Sequence, residues 1–266
     1  MLTNLLAAVV LEPGYAAKRA RFIRMIKDIL GSTSPVVFWL PNPSDTTTSV
    51  DEGAGNRIWT AETTMGGRFT RLGNGYSVAF NGTSNYLNSP DTANLTYGDG
   101  LADSAFSVIT VANVTSVSAI RTMFSKFDAS NYEYQFRLGG ASHILQFAIG
   151  DLDQSPNPRG QSTVAIVEGA WQVFGGSYDG GGGATAASGI TLYRQGIAFG
   201  VTAINDALYL AMSNGTGLGS IGAENTAGTP STFFPGSLAM VLVVGANLSA
   251  TQHAAISDLC RRHFRL

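Results

Sequence analysis

Residues 132–149 read Tyr132-Glu-Tyr-Gln-Phe-Arg-Leu-Gly-Gly-Ala-Ser-His-Ile-Leu-Gln-Phe-Ala-Ile149. Tyr132, Tyr134, Phe136 and Leu138 recur at period two, which puts them on one face of an extended strand. Gly139-Gly140 follows where the chain must reverse, and Ile144 to Ile149 supplies a second apolar strand. The stretch predicts an antiparallel hairpin, with Phe136 in the core.

The same pattern continues outward on both sides. Val36-Val37-Phe38-Trp39-Leu40 is a buried-strand candidate closed by Pro41-Asn42-Pro43. Residues 41–56, rich in Pro, Ser, Thr, Asp and Gly, read as a long loop. Tyr76 to Phe80 alternates and meets the turn pair Asn81-Gly82. Phe106–Val114, Thr122–Phe127 and Trp171–Tyr178 are further strands, and Trp171 joins Phe136 among the predicted core residues. Residues 179–189, DGGGGATAASG, read as a flexible loop by composition. Ile190–Tyr193 and Ile197–Val201 flank Gln195-Gly196 as another hairpin, and Leu218–Ile221 and Gly236–Val244 close the β series. Many short strands separated by Gly-rich turns predict an all-β antiparallel sandwich.

Only the ends read as helix. Ala16 to Leu30 carries Phe22, Ile26 and Ile29 on one stripe, with Ile23 and Leu30 beside it and Gly31 as a C-terminal stop. Ser249-Ala-Thr-Gln252 has the spacing of a capping box, and Ala255, Ile256, Leu259, Cys260 and His263 then follow one face. The expected organisation is an N-terminal helical arm over 1–34 and a sandwich over 35–266 that ends in a short helix.

The chain has 266 residues, of which 44% are hydrophobic and 13% charged. The charged share is about half that of an average soluble domain. No apolar run approaches the ~18 residues of a membrane-spanning helix. Residues 2–11 are apolar, but basic residues follow the run rather than precede it, so it does not read as a signal peptide. The single cysteine, Cys260, excludes an internal disulfide and reads as a small buried hydrophobe. Both ends are basic: 1–35 carries +3 and 257–266 carries +2, against −7 over 36–256. The arm is too short to fold alone, so its stripe must dock. Arg19, Arg21, Phe22, Ile23, Arg24, Ile26 and Ile29 are its candidate assembly interface, the alternative being that the arm packs on its own sandwich.

An ordered set of short motifs resembles the concanavalin A-like, laminin-G-like jelly-roll superfamily. It comprises Tyr76-Ser-Val-Ala-Phe-Asn-Gly-Thr-Ser-Asn-Tyr-Leu87, Phe106-Ser-Val-Ile-Thr-Val111, Phe124-Ser-Lys126 and Trp171-Gln-Val-Phe-Gly-Gly-Ser-Tyr-Asp179. Leu192-Tyr-Arg-Gln-Gly196, Phe234-Pro-Gly236 with Val241 to Val244, and Asn247-Leu-Ser249 complete it. The resemblance covers about 36–266 and implies the fold. It does not fix a function, because this sandwich carries lectins, adhesion modules, glycosidases and spacers.

Glycosidases of this superfamily resemble one another in a close pair of acids on one strand, which cleavage needs as acid and nucleophile or base. Glu12, Glu52, Glu62, Glu133, Glu168 and Glu224 do not fall in an E-x-D-x-x-E pattern, and no G-x-S-x-G turn is present. No catalytic residue is expected. The resemblance implies Ca²⁺ at the rim in some members, with Asp99, Asp103, Asp151, Asp153 and Asp179 as oxygen donors here. No spacing unites them, so no cofactor or metal residue is expected and Ca²⁺ stays the alternative. Tyr97, Tyr132 and Tyr209 are candidate sugar platforms, with the ligand-binding residues otherwise unknown. A lectin-like sandwich behind a docking arm resembles structural proteins of tailed bacteriophages. The leading expectation is therefore a non-enzymatic virion decoration protein located in the virion and partnered by capsid or tail proteins, a homo-oligomer with an adhesion role, binding neither nucleic acid nor membrane. The alternative is a carbohydrate-binding module of a bacterial surface or secreted protein, with a cell-surface glycan as partner.

Overall fold

The structure, a computed structural model, describes residues 14–128, 131–140, 142–150, 157–226 and 228–266. The apolar run 2–11, Asp151 and Asp153 lie outside these residues.

Two antiparallel sheets pack face to face between two helices in sequence, α1 (Tyr15–Leu30) and α2 (Ala250–Phe264). The eight-stranded sheet runs in the order Ile197–Phe199, Ile190–Arg194, Trp171–Tyr178, Phe106–Val114, Pro235–Val244, Gly75–Asn81, Phe69–Leu72. Pro35–Trp39 pairs with the far half of Pro235–Val244. The nine-stranded sheet runs Val201–Ile204, Arg159–Ala165, Ile144–Ile149, Asn131–Gly139, Arg121–Asp128, Gly219–Ile221, Leu87–Ser89, Ile58–Ala61, Thr48–Val50. The predicted hairpin pairs Phe136 with Phe147 and Leu138 with Leu145.

Register sorts the nine-stranded sheet into rows. Ala61, Leu87, Ile221, Phe124, Phe136, Phe147, Gly160 and Ala203 pair across eight successive strands. All but glycine are apolar, and Leu87, Ile221, Phe124, Phe136 and Phe147 are buried in the core between the sheets. The next row crosses all nine strands as Thr48, Thr60, Asn88, Ser220, Ser125, Gln135, Ala148, Arg159 and Ile204. A one-residue step along any strand changes the face, so this largely polar row lies on the face turned away from the core, although Ser220, Ser125, Gln135 and Ala148 at its centre are buried there.

The eight-stranded sheet is apolar on both faces. Val108, Phe174, Tyr178, Val241 and Val243 face the other sheet, while Ile109, Val111, Val173, Met240, Leu242 and Val244 form a second cluster with both helices. Strands buried on both sides read as continuous apolar runs, as Val241 to Val244 does. Gly175 and Gly176 let the backbone approach neighbours closely: a Cβ would sit 2.7 Å from His253 Nδ1 or 2.8 Å from the Phe147 ring.

The helices close as predicted. Gly31 (φ 66°) ends α1, and the Ser249–Gln252 capping box is formed at both of its hydrogen bonds. Cys260 is buried. Phe22 stacks on His263 with ring centroids 4.1 Å apart.

Four local readings differ. Trp171 is only partly buried, on the helix side, and Phe174 takes the place facing the core. The 41–56 loop contains the strand Thr48–Val50, and Ile58–Ala61, Phe69–Leu72 and Arg159–Ala165 are additional strands. These segments are short and mix polar with apolar residues, so period two is not visible in them. Within 179–189, Gly183–Gly189 winds into 3₁₀ turns anchored by buried Ala186 and Ala187. Tyr132 leaves the apolar face, because the register shifts between Lys126 and Phe127 at the strand end.

Candidate functional site

The outer face of the nine-stranded sheet carries two adjacent polar rows. Beside the row through Ser125 and Gln135 runs a second, in which Thr122, Arg137, Gln146, Gln161 and Thr202 pair across five strands. Gln135, Arg137, Gln146, Arg159 and Gln161 thus share this face on three neighbouring strands, with Gln135 and Gln146 buried and Arg137, Arg159 and Gln161 partly exposed. Arg137 Nε donates to Gln146 Oε1 at 3.0 Å and its Nη1 donates to Gln135 Oε1. Burial lowers Arg137 to about 10, with Arg159 adding to the fall and Glu224 opposing it, so it stays charged at neutral pH. The segment carrying the hairpin Glu224–Thr226 with Thr229–Ser231 covers part of this face, where Thr122 and Ser125 are fully buried: Ser125 Oγ donates to Ala223 O, and the hydroxyls of Thr122 and Thr232 lie 2.8 Å apart.

At the end of these rows lies a small hollow with an inner room of about 20 Å³, roughly that of one water molecule. Phe127, Tyr132, Glu133, Gln135, Arg137 and Asn157 are among its walls. Tyr132 is half-buried and meets Phe127 edge-on, centroids 4.2 Å apart. Three buried polar atoms on the hollow have no hydrogen-bond partner: Glu133 Oε2, Gln135 Nε2 and Asn157 Oδ1.

Behind the hollow, Lys126 is fully buried. Its ammonium lies 2.5 Å from Glu133 Oε1 and 2.8 Å from Asp91 Oδ1, and donates to Thr96 Oγ1 at 2.6 Å. Gly215 N donates to Glu133 Oε1 at 3.1 Å. Burial pushes Glu133 upwards, against the pull of the Lys126 ammonium and the Gly215 amide.

The three candidate sugar platforms separate. Only Tyr132 reaches the hollow. Tyr97 stacks on Phe106 inside the core at 4.2 Å, and Tyr209 is buried with its hydroxyl on Asp103. Of the described rim acids, Asp99 and Asp179 serve their own loops, while Asp103 ties distant segments together. Asp99 accepts from the Leu101 and Ala102 amides, Asp103 from Tyr178, Tyr209 and the Met212 amide, and Asp179 from the Gly181 amide. No group of three His, Cys, Asp or Glu side chains among the described residues is placed to hold a metal ion. Ser177 Oγ lies 2.7 Å from His253 Nε2, but both are buried at the seam under α2, with Ser107 as the next partner. This pair ties helix to sheet.

The arm residues also divide. Phe22, Ile23 and Ile26 are covered by the chain's own sheet and α2, and Ile29 packs partly against the same cluster. Arg19 forms an ion pair with Glu52 of the sandwich, while Arg21 and Arg24 are exposed. The apolar stripe assigned to a partner thus already has one within the chain.

Solved structures of similar fold include domain 4 of AbnA, a GH43 extracellular arabinanase from Geobacillus stearothermophilus, in complex with arabinotriose. It has 17% identity and a TM-score of 0.58 over 85% of this chain and 100% of that one. The binding domain of Paraclostridial Mosquitocidal Protein 1 has 11% identity and a TM-score of 0.63 over 88% of this chain and 52% of that one. The botulinum neurotoxin type G receptor binding domain has 11% identity and a TM-score of 0.56 over 85% and 51%. At such identity the likeness is one of fold. No curated protein matches the chain. The laminin-G-type model of the concanavalin A-like lectin/glucanases superfamily matches residues 81–252, and with the jelly-roll sheets it shows that the chain belongs to that superfamily.

Proposed function

We propose that this chain is a non-enzymatic carbohydrate-binding domain that takes its ligand on the polar outer face of the nine-stranded sheet. The observation that carries the reading is the partly exposed set Arg137, Arg159 and Gln161 on neighbouring strands, beside half-buried Tyr132. Such groups meet sugar hydroxyls in fixed directions, and an aromatic face accepts the apolar side of a sugar ring. The similar AbnA domain, covered over its whole length and solved with arabinotriose, supports this reading over decoration of a virion. So does the arm, whose apolar stripe is occupied within the chain.

A glycan array probed with the full chain is the direct test. Retention of a restricted set of saccharides is expected, weakened by Gln161→Ala and Arg159→Ala at unchanged melting temperature. An array with no saccharide retained, or binding indifferent to both substitutions, refutes the proposal.

A further inference from the structure

Lys126 stands where a lysine is costly. It pairs in register with Tyr134 and Gly219, on the row that faces the core, and its side chain is fully buried. Its Nζ meets four oxygens: Glu133 Oε1, Asp91 Oδ1, Thr96 Oγ1 and, at 3.3 Å, Gly215 O. The two carboxylates differ. Glu133 is as buried as Lys126, and its Oε1 also accepts from the Gly215 amide. Asp91 keeps 31% of its side chain exposed, and its Oδ1, 2.8 Å from Nζ, has no hydrogen-bond partner. Amine and carboxyl thus touch without the alignment of a hydrogen bond.

We propose that Lys126 and Asp91 join in an intramolecular amide bond, with Glu133 moving the protons. The ion pair is the state that precedes the reaction. Glu133 takes a proton from the ammonium, and the freed lone pair of Nζ attacks Asp91 Cγ. The C=O electron pair moves onto oxygen and then returns, and the second oxygen leaves with the electrons of its bond to carbon. Glu133 carries two of the three ammonium protons, one after the other, to that departing oxygen, which leaves as water. Ammonium and carboxylate have become an amide and water; nothing is oxidised or reduced. Contact between the reacting groups stands in for an effective concentration on the order of 10⁵–10⁸ M. Both ions carry a desolvation cost that a neutral amide avoids. Burial raises Glu133, so it holds a proton more readily than an exposed carboxylate, and its Oε2 has no partner to compete. The exposed side of Asp91 gives the water its exit. The bond would brace the loop after Leu87–Ser89 to Arg121–Asp128, across Gly219–Ile221 between them.

Mass spectrometry of the full chain under denaturing conditions tests this. An intact mass one water below that of the sequence is expected, with a tryptic species that joins the peptides holding Asp91 and Lys126. Asp91→Ala and Lys126→Met should each carry the full mass of their sequence. Glu133→Gln should stay unlinked while circular dichroism shows it folded, because loss of a positioned base slows such a step roughly 100-fold or more. Asp91→Ala, at a partly exposed position, remains informative if the buried variants do not fold. A folded parent chain at its full sequence mass overturns the proposal. So does a loss of water that persists in Asp91→Ala. Complete cross-linking in Glu133→Gln overturns the part given to Glu133.

Discussion

Replacing Ile26 by alanine decides what the N-terminal helix does. Ile26 is fully buried, in a cluster that also holds Phe38, Leu242, Ile256 and Cys260. It therefore joins the helix to two strands of the eight-stranded sheet and to α2. Deleting a buried aliphatic side chain of this size costs about 2–5 kcal/mol, combining lost transfer energy with the cavity left behind. For a domain of this length each kcal/mol lowers the melting temperature by about 2–4 °C. Ile26→Ala should thus melt roughly 4–20 °C below the parent chain. Arg21→Ala and Arg24→Ala, on the exposed side of the same helix, should stay within about 0.5 kcal/mol of it. Differential scanning calorimetry with size-exclusion chromatography on each variant reads both quantities. If Ile26→Ala melts with the parent but loses an oligomer, the stripe serves a second chain and the reasoning here is wrong.

Acid should loosen the seam under α2. Burial lowers His253 to about 3 and His263 to about 4, from an ordinary 6.5. The unfolded chain then binds more protons below pH 6.5, so stability is full above that value and falls as pH drops towards 4 and 3. At pH 5 each histidine removes about 2 kcal/mol, visible as a lower urea midpoint; His253→Gln should flatten part of the fall, and a level profile in the parent chain contradicts the account. Lys126→Met should cost about 3–5 kcal/mol by leaving Glu133 buried beside no cation, and adding Glu133→Gln should recover part of the loss in denaturant titration. Full additivity of the two changes would falsify the coupling. Gly176→Ala drives a Cβ into the Phe147 ring and should lower stability by about 1–3 kcal/mol in the same assay.

Where one face of a strand meets the core and the other does not, the sequence is an open record. Tyr134, Phe136 and Leu138 showed their strand and its buried face, and the glycine pair showed its return. The superfamily was legible for the same reason, because the ordered motifs are the alternations and turns that close the sandwich. Helix ends were equally readable: Gly31 and the Ser249–Gln252 box act within one turn of chain.

The candidate site was only faintly visible. Glu133, Gln135 and Arg137 stood in the sequence as the polar half of an alternating strand, with nothing to separate them from a solvated surface. Their period-two spacing beside Gln146 and Gln161 is the signal that was available. Tyr132 fell on the wrong face because a bulge changes parity, and a bulge depends on the partner strand.

Composition, period and turn chemistry thus determined the fold class and the helix ends by themselves, since these are set by interactions between residues close in sequence. Tertiary structure alone decided which apolar faces were already taken and which polar atoms were left without partners. Lys126 meets Asp91, Phe22 meets His263, and Gln135 meets Ser125 and Ala148 through pairings made only when distant strands and helices come together. A stripe of apolar residues states that it must be buried; only the assembled chain shows what buries it.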